Sequence, residues 1–387
     1  MPRAKLKRLR WQAIDALLTF HGRRVSSKLA VAQSHALTAL ARLAAAGSRA
    51  SRERVIERAV EVLSRGRDAD ASIYVSAVIA LGEVAGPGDA DALDVLVKHV
   101  RRPRDSLIPK FAMIAFGKIG GQVAFDQLAE TFRNGKRDVV PWAAIGLGLH
   151  ARGGRATPSK PAAGVGTAAT KRNMANQVRS VLGTALKGEN RDELLAAIAI
   201  GLGLAGADSA ADTLREIALE TKSEVHKGHL LVGLAMLDDK QAATIAEGGM
   251  TTVRNAVYMG QCALALAELG RRGASTLAVD RLQNTPNTRG FLTWLGASAQ
   301  SIGHLKNARD LPALVETLQS RTARKSSSRR RSVASVGRLR AAITAAAMGS
   351  VADRDPLGFG ARIADGMNYT MREQTLSNGK NGVLDIF

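Results

Sequence analysis

A motif of two short helices joined by a tight turn repeats along most of this chain. In residues 76–100 small and apolar residues recur at helical spacing, a Gly86-Pro87-Gly88 break follows, and Asp89 or Asp91 can cap a second apolar run. Positions equivalent to Gly82 are separated by steps of 41, 35, 31, 55, 32, 32, 36 and 46 residues, and they are Ala41, Gly82, Gly117, Gly148, Gly203, Ala235, Ala267, Gly303 and Gly349. A period of about 30 to 45 residues made of helix pairs is typical of an α-solenoid.

Each of these anchor positions carries glycine or alanine. A side chain of one methyl group or none lets two helices approach closely, so we expect the anchor to lie where the two helices of one unit cross. The sequence predicts an all-α, right-handed solenoid of about eight helix pairs, extending as one elongated domain because a solenoid lengthens without a second core.

The anchor phrases, such as ALGEVAG at 80–86 and AIGLGL at 144–149, resemble the HEAT-repeat superfamily, including its short bacterial HEAT-like repeats. The resemblance covers residues 28–351 and implies a fold more strongly than an activity. Metal-dependent hydroxylases of this superfamily carry His-Glu dipeptides, and none of the seven histidines here is followed by Glu. Its DNA glycosylases use a basic concave face, whereas the eight predicted second helices, which usually line that face, hold sixteen acids and nine cations.

The formal net charge of +21 is the compositional outlier, and it favours attraction to nucleic acid, an anionic membrane surface or an acidic protein. Many cations lie in the turns between units, at 101–105 and 133–138, and in two insertions without acids, 152–172 and 321–331. We expect both turns and the 321–331 insertion to share one edge of the solenoid, with 152–172 on the opposite edge. The candidate contacts for an anionic partner are Arg101, Arg102, Arg104, Arg133, Lys136, Arg137, Arg321, Arg324, Lys325, Arg329, Arg330 and Arg331.

Part of this basic character has a structural explanation. Cations stabilise the C-terminus of the preceding helix, and a carboxylate stabilises the N-terminus of the next helix. Asp105 and Asp138 are therefore candidate caps.

Three regions follow from these patterns. Residues 1–27 form a basic N-terminal arm or a capping helix, with Trp11, Leu17, Leu18 and Phe20 as its buried side. The solenoid occupies 28–351, and a cap or tail occupies 352–387.

The apolar stretch of the first region lacks a cleavage site, and no run is long enough to span a membrane, so we expect a cytoplasmic protein. Cys262, the single cysteine, lies in an apolar helical run and is expected to be a core residue.

Three motifs suggest chemistry but have simpler explanations. Gly201, Gly203 and Gly206 match the dinucleotide pattern G-x-G-x-x-G, but they fall inside a predicted helix and we expect them to serve helix packing. His226 and His229, with Glu224 nearby, could reach one metal ion, but without an evident further ligand we expect structural histidines. The RRRS of 329–332 would suit a basophilic kinase and the RKSSSRRR of 324–331 resembles a nuclear import signal, but a solvated basic loop is the favoured interpretation of both.

The sequence therefore predicts a non-enzymatic scaffold that binds a protein partner through the solenoid surface and uses no cofactor or metal. The alternative is a protein that binds nucleic acid without sequence specificity, contacting phosphates through the basic loops and the N-terminal arm. An enzyme with a site on the concave face is the least favoured class.

Overall fold

A computed structural model describes residues 3–22, 27–65, 71–103, 105–153, 168–252, 254–284 and 291–322, together with 344, 345, 347 and 348. Within these residues regular structure is entirely helical and no β-strand occurs, which confirms the prediction of an all-α, repeat-like fold. The helices divide into two compact units, one ending at Ala205 and one beginning at Gly206. Continuity of a single solenoid through both units stays a prediction.

The first unit contains ten described helices. They are α1 (Arg3–Gly22), α2 (Ser27–Ala45), α3 (Arg49–Ser64), α4 (Ala71–Val84), α5 (Ala90–Arg101), α6 (Leu107–Ile119), α7 (Gln122–Asn134), α8 (Val140–Gly153), α9 (Ala168–Gly188) and α10 (Asp192–Ala205).

The second unit contains seven described helices, three of them preceded by a short 3₁₀ turn. They are α11 (Ala211–Glu220), α12 (Glu224–Met236), α13 (Lys240–Thr252), α14 (Ala256–Glu268), α15 (Ser275–Asn284), α16 (Phe291–Leu305) and α17 (Leu311–Thr322).

The helices of each unit alternate between two layers. In the first unit the even-numbered helices α2 to α10 pack on one another in chain order, and each odd-numbered helix packs on at least one of its even-numbered neighbours. The second unit repeats this arrangement with α12, α14 and α16 in one layer. Every predicted anchor from Ala41 to Gly303 lies in an even-numbered helix, so the division into first and second helices is confirmed there. Gly349 lies outside the described residues.

The even-numbered helices form the interior. In α8 every residue from Val140 to Ala151 is buried, and α10 is buried from Leu194 to Ala205. Both helices are apolar or small around their whole circumference, and a helix that is hydrophobic all round must be enclosed by other elements. These helices therefore support the structure and offer little surface to a partner.

The glycine anchors pack differently from our expectation. A β-carbon on Gly117 of α6 would lie 2.5 Å from the carbonyl oxygen of Gly146 in α8, and one on Gly148 would lie 2.6 Å from the Cα of Gly201 in α10. The close crossings therefore join the first helices of successive units, and the prediction of a crossing within one unit is wrong. At Gly146 the second helix approaches through the tip of the Leu128 side chain, which holds its backbone further away.

The odd-numbered helices are amphipathic and supply the exposed surface. In α7 the side chains of Phe125, Leu128 and Phe132 are buried, whereas Asp126 and Glu130 are exposed. The buried positions follow the 3.6-residue period of a helix that covers a core on one side. The acids that dominate the second helices therefore face solvent along α7.

The N-terminal helix buries a different residue from the predicted set. Trp11 is 37% exposed, and the Arg54 guanidinium lies 5.1 Å from the centroid of its ring. Leu17, Leu18 and Phe20 are half-buried, and Ile14 is the fully buried apolar residue of α1. The prediction that Trp11 is buried is wrong, because a cation–π contact with Arg54 of α3 stabilises the ring at the surface.

Cys262 is fully buried in α14, as predicted, beside Tyr258. Burial raises the pKa of its thiol to about 12, so almost no reactive thiolate exists at neutral pH. We expect the native protein to resist a thiol reagent such as DTNB and to react fully once it is unfolded in guanidinium chloride. Rapid labelling of the native protein would contradict the buried position of α14.

No described helix combines the length and the apolar character that crossing a membrane requires. The 352–387 region and positions 154–167 of the first insertion lie outside the described residues.

Candidate functional site: a basic edge of the first unit

The turns that enter α6 and α8 lie at the same end of the first unit. Met113 of α6 lies against Gly146 of α8, and Gly117, further along α6, lies against Leu149, further along α8. The two helices are therefore parallel. Parallel helices have their N-termini at one end, and the turns that precede them must therefore emerge together. We call this end, with its turns at 102–106 and 135–139, the basic edge.

Five of the predicted contact residues lie at the basic edge. They are Arg101, Arg102, Arg133, Lys136 and Arg137, and all five side chains are exposed. Arg133 donates from Nε to the carbonyl oxygen of Ala129 at 3.2 Å. Within the described part of the chain none of the five forms an ion pair. Their charges are therefore available to an anionic partner.

Neighbouring acids hold the turns in place without neutralising these cations. The Asp105 carboxylate accepts a hydrogen bond from the Leu107 amide at 2.7 Å, so it holds the first residue of α6, although the N-cap position itself is occupied by Ser106 and not by Asp105 as predicted. Asp138 instead lies 3.1 Å from the ammonium group of Lys110, so it bridges the α7–α8 turn to α6.

A glycine fixes the path of the α7–α8 turn. The Gly135 amide closes α7 by donating to the Thr131 carbonyl at 2.8 Å. A β-carbon on Gly135 would come within 2.3 Å of the same carbonyl oxygen. The chain therefore leaves α7 tightly, with Arg133 before the glycine and Arg137 after it.

A pocket of about 320 Å³ opens where the α7–α8 turn meets the turn between α9 and α10. Its apolar lining consists of Phe132, Val140, Ala185 and Leu194, which come from four successive helices. Arg133 and Arg137 contribute cationic side chains to the same pocket. We call it the edge pocket.

Glu189 and Arg191, which also line the edge pocket, neutralise each other. Arg191 donates from Nε to Oε1 at 2.9 Å and from its terminal nitrogen to Oε2 at 2.8 Å, while the backbone amides of Asn190 and Arg191 donate to Oε1. Hydrogen bonding from Arg191 and these amides lowers the pKa of the Glu189 carboxyl to about 2. The negative charge of Glu189 is paired with Arg191 within the turn, so Arg133 and Arg137 remain as the uncompensated charges of the pocket.

The edge pocket contains residues that sequence reasoning missed. The turn at 189–191 is short and its arginine stands among acids, so its charge pattern does not distinguish it in the sequence. Its place directly before an even-numbered helix is the signal that could have assigned it to the basic edge.

The remaining predicted contacts cannot be placed. Arg104, Arg324, Lys325, Arg329, Arg330 and Arg331 lie outside the described residues, and for Arg321, near the end of α17, only the backbone is described.

His229, one of the two predicted histidines of the second unit, serves packing. His229 is completely buried, its Nδ1 donates to the Val225 carbonyl at 2.8 Å, and its Nε2 accepts from the Gln261 amide at 2.9 Å. No cluster of three or more metal-ligating side chains is found in the described residues. The interpretation of His229 as a structural residue holds, although it is more deeply buried than the sequence indicated.

The dinucleotide-like glycines lie in and just after α10, where Gly201 contacts α8. The position of Gly201 agrees with the packing interpretation of the glycine motif. Two aromatic residues of first helices are core residues as well: Tyr74 is buried, and the buried Trp142 ring packs on Phe111 with centroids 5.7 Å apart.

No model of a known protein family matches the chain, and a search of curated proteins finds no relative.

Proposed function

We propose that this chain is a non-enzymatic interaction scaffold, a right-handed solenoid of the HEAT-repeat type, that binds an acidic protein partner at the basic edge. The observation that carries the proposal is the set of five exposed cations without ion pairs, which two parallel helices bring to one end of the first unit. Clustered charge of this kind steers an oppositely charged partner and sets its orientation.

The distribution of acids supports binding at the edge. The exposed sides of α5 and α7, the helices that lead into these turns, carry Asp94, Asp126 and Glu130. These acids repel an acidic partner, whereas the cations of the turns attract it. Such a partner therefore binds at the basic edge in preference to the helix surfaces.

Binding of nucleic acid is the second candidate, and the same five cations favour it because phosphate contact needs only Lys and Arg. The edge pocket makes protein the better match, since a phosphate backbone gains nothing from an apolar lining. Base stacking needs an accessible ring, and Phe132, the aromatic residue that lines the pocket, is largely buried.

The proposal is tested with a double variant, Arg101→Ala with Arg102→Ala, and fluorescence anisotropy of labelled poly-glutamate. We expect the dissociation constant to rise roughly two- to thirtyfold, because two exposed ion pairs contribute about 0.2–1 kcal/mol each. The matched control is Arg271→Ala with Arg272→Ala, which removes an adjacent exposed pair from a turn of the second unit.

Equal weakening by both double variants would show that net charge, not the basic edge, drives binding. A labelled DNA duplex serves as the second probe across a salt titration. If the duplex binds and poly-glutamate does not, nucleic acid replaces protein as the partner class.

A further inference from the structure

The edge pocket combines an apolar lining with uncompensated positive charge, and this combination specifies a ligand. We propose that it binds an acidic peptide segment of the partner, with one bulky apolar side chain inside the pocket and a neighbouring carboxylate at Arg133 and Arg137. This inference rests on the proposed function and deepens it by naming the partner's chemistry.

The pocket lining suits a side chain. Phe132, Val140 and Leu194 are largely buried, and Ala185, half-buried on α9, is the smallest side chain among the apolar lining residues. At about 320 Å³ the pocket has room for a phenylalanine or leucine side chain together with part of its backbone. Burying such a side chain supplies affinity, and the shape of the pocket supplies selectivity.

The charges around the pocket suit a carboxylate. Arg133 precedes Gly135 and Arg137 follows it, so an arginine on each side of the tight turn lines the pocket. Glu189 cannot neutralise them, because Arg191 and two backbone amides already occupy its oxygens. Guanidinium groups donate hydrogen bonds in the planar geometry that carboxylates accept best.

An acidic peptide fits this arrangement better than a free anion. A free phosphate or carboxylate would use the arginines and leave the apolar lining exposed to water. An apolar ligand without charge would bring no group to Arg133 and Arg137. A segment that alternates acids with a bulky apolar residue uses both parts of the pocket.

The test compares two fluorescein-labelled peptides, Glu-Glu-Asp-Phe-Glu-Glu and the same peptide with Ser in place of Phe. We expect the Phe peptide to bind about tenfold or more tightly, since only its ring is buried. Ala185→Phe fills the pocket and should abolish this preference, leaving weak, salt-sensitive binding of both peptides. Gln177→Phe, which adds the same ring at an exposed position of the same helix, is the matched control and should keep the preference.

Two further variants separate the inference from the function on which it depends. Arg133→Gln with Arg137→Gln should weaken the Phe peptide more than Arg101→Gln with Arg102→Gln does, because only the first pair lines the pocket. Circular dichroism checks the fold of each variant, and Ala185→Leu replaces Ala185→Phe if the larger ring disturbs it.

Equal affinity for the two peptides, or a preference that persists when position 185 is filled, would overturn the edge pocket as the site while the basic edge stays a binding surface. Absence of binding for both peptides would overturn the inference and the proposed function together. Displacement of the Phe peptide by an equal concentration of inorganic phosphate would show a simple anion site and would also overturn the inference.

Discussion

Replacing Gly148 by alanine is expected to lower the free energy of unfolding by about 1–3 kcal/mol or more. The added β-carbon would lie 2.5 Å from the carbonyl oxygen and 2.6 Å from the Cα of Gly201, so it meets the backbone of α10, which cannot move aside as a side-chain tip can. The two helices must separate, and the surrounding core loses contacts. Urea denaturation followed by circular dichroism measures the change.

The loss in free energy of unfolding should be larger where the two helices approach more closely. At Gly82 the nearest atom to an added β-carbon is the Ala115 Cα at 3.0 Å, so Gly82→Ala should cost less than Gly148→Ala. Replacement of Gly82 or Gly117 by leucine, a larger change, should destabilise by about 1–3 kcal/mol or more. If the midpoints of these variants do not differ from that of the parent protein, the proposed helix crossings are incorrect.

Gly183→Ala provides the matched control. Gly183 lies inside α9, and an added β-carbon there would meet nothing within 4 Å. Alanine restricts the unfolded chain more than glycine does, so this variant should be more stable by roughly 0.5–1 kcal/mol. The same substitution is thus expected to act in opposite directions at two helical glycines.

The repeat was predictable from sequence because small residues return at regular intervals within apolar runs. Ala41, Gly82 and Gly203 lie in even-numbered helices as the alignment required. The partner helix of each glycine was not predictable, because the pattern shows that a close approach occurs without showing which helix approaches. In the structure that choice depends on side chains such as Leu128, which keep the second helix at a distance.

The basic edge was predictable in part. The alternation of helices in sequence places the turns at 102–106 and 135–139 on one side, and the contacts of Gly117 and Gly146 support this placement. The edge pocket was not predictable, because Phe132, Ala185 and Leu194 are distant in sequence and converge only when the helix pairs stack. Neutralisation of Glu189 by Arg191 likewise depends on the local geometry of a turn.

Acid is expected to destabilise the first unit through His21, at the end of α1. The Arg58 guanidinium donates to His21 Nδ1 at 2.9 Å and, through its terminal nitrogen, to the His21 carbonyl at 2.8 Å. Burial of the ring, followed by the positive charges of Arg58 and Arg65, lowers the pKa of His21 from 6.5 to about 4. A proton on His21 would place a second positive charge against Arg58 in a buried position.

The direction of the pH dependence follows from proton binding. Between pH 6.5 and 4 the unfolded chain binds a proton at His21 that the folded chain does not. The free energy of unfolding is therefore highest above pH 6.5 and falls by up to about 3 kcal/mol as the pH is lowered to 4. Burial lowers the pKa of His150 as well, which adds to the loss in the same direction. Carboxyls such as Glu189, whose pKa is about 2, lose their contribution at lower pH, from about 4.5 downwards.

His21→Asn isolates this contribution, because an asparagine oxygen can accept from Arg58 near the position of Nδ1 but does not titrate. The variant should lose less stability than the parent between pH 6.5 and 4.5, a range above the titration of Glu189. Urea denaturation at a series of pH values measures this slope. If the variant and the parent protein show the same slope, other groups cause the acid sensitivity. A reduced slope would show that the contact between His21 of α1 and Arg58 of α3 contributes to the stability of the first unit.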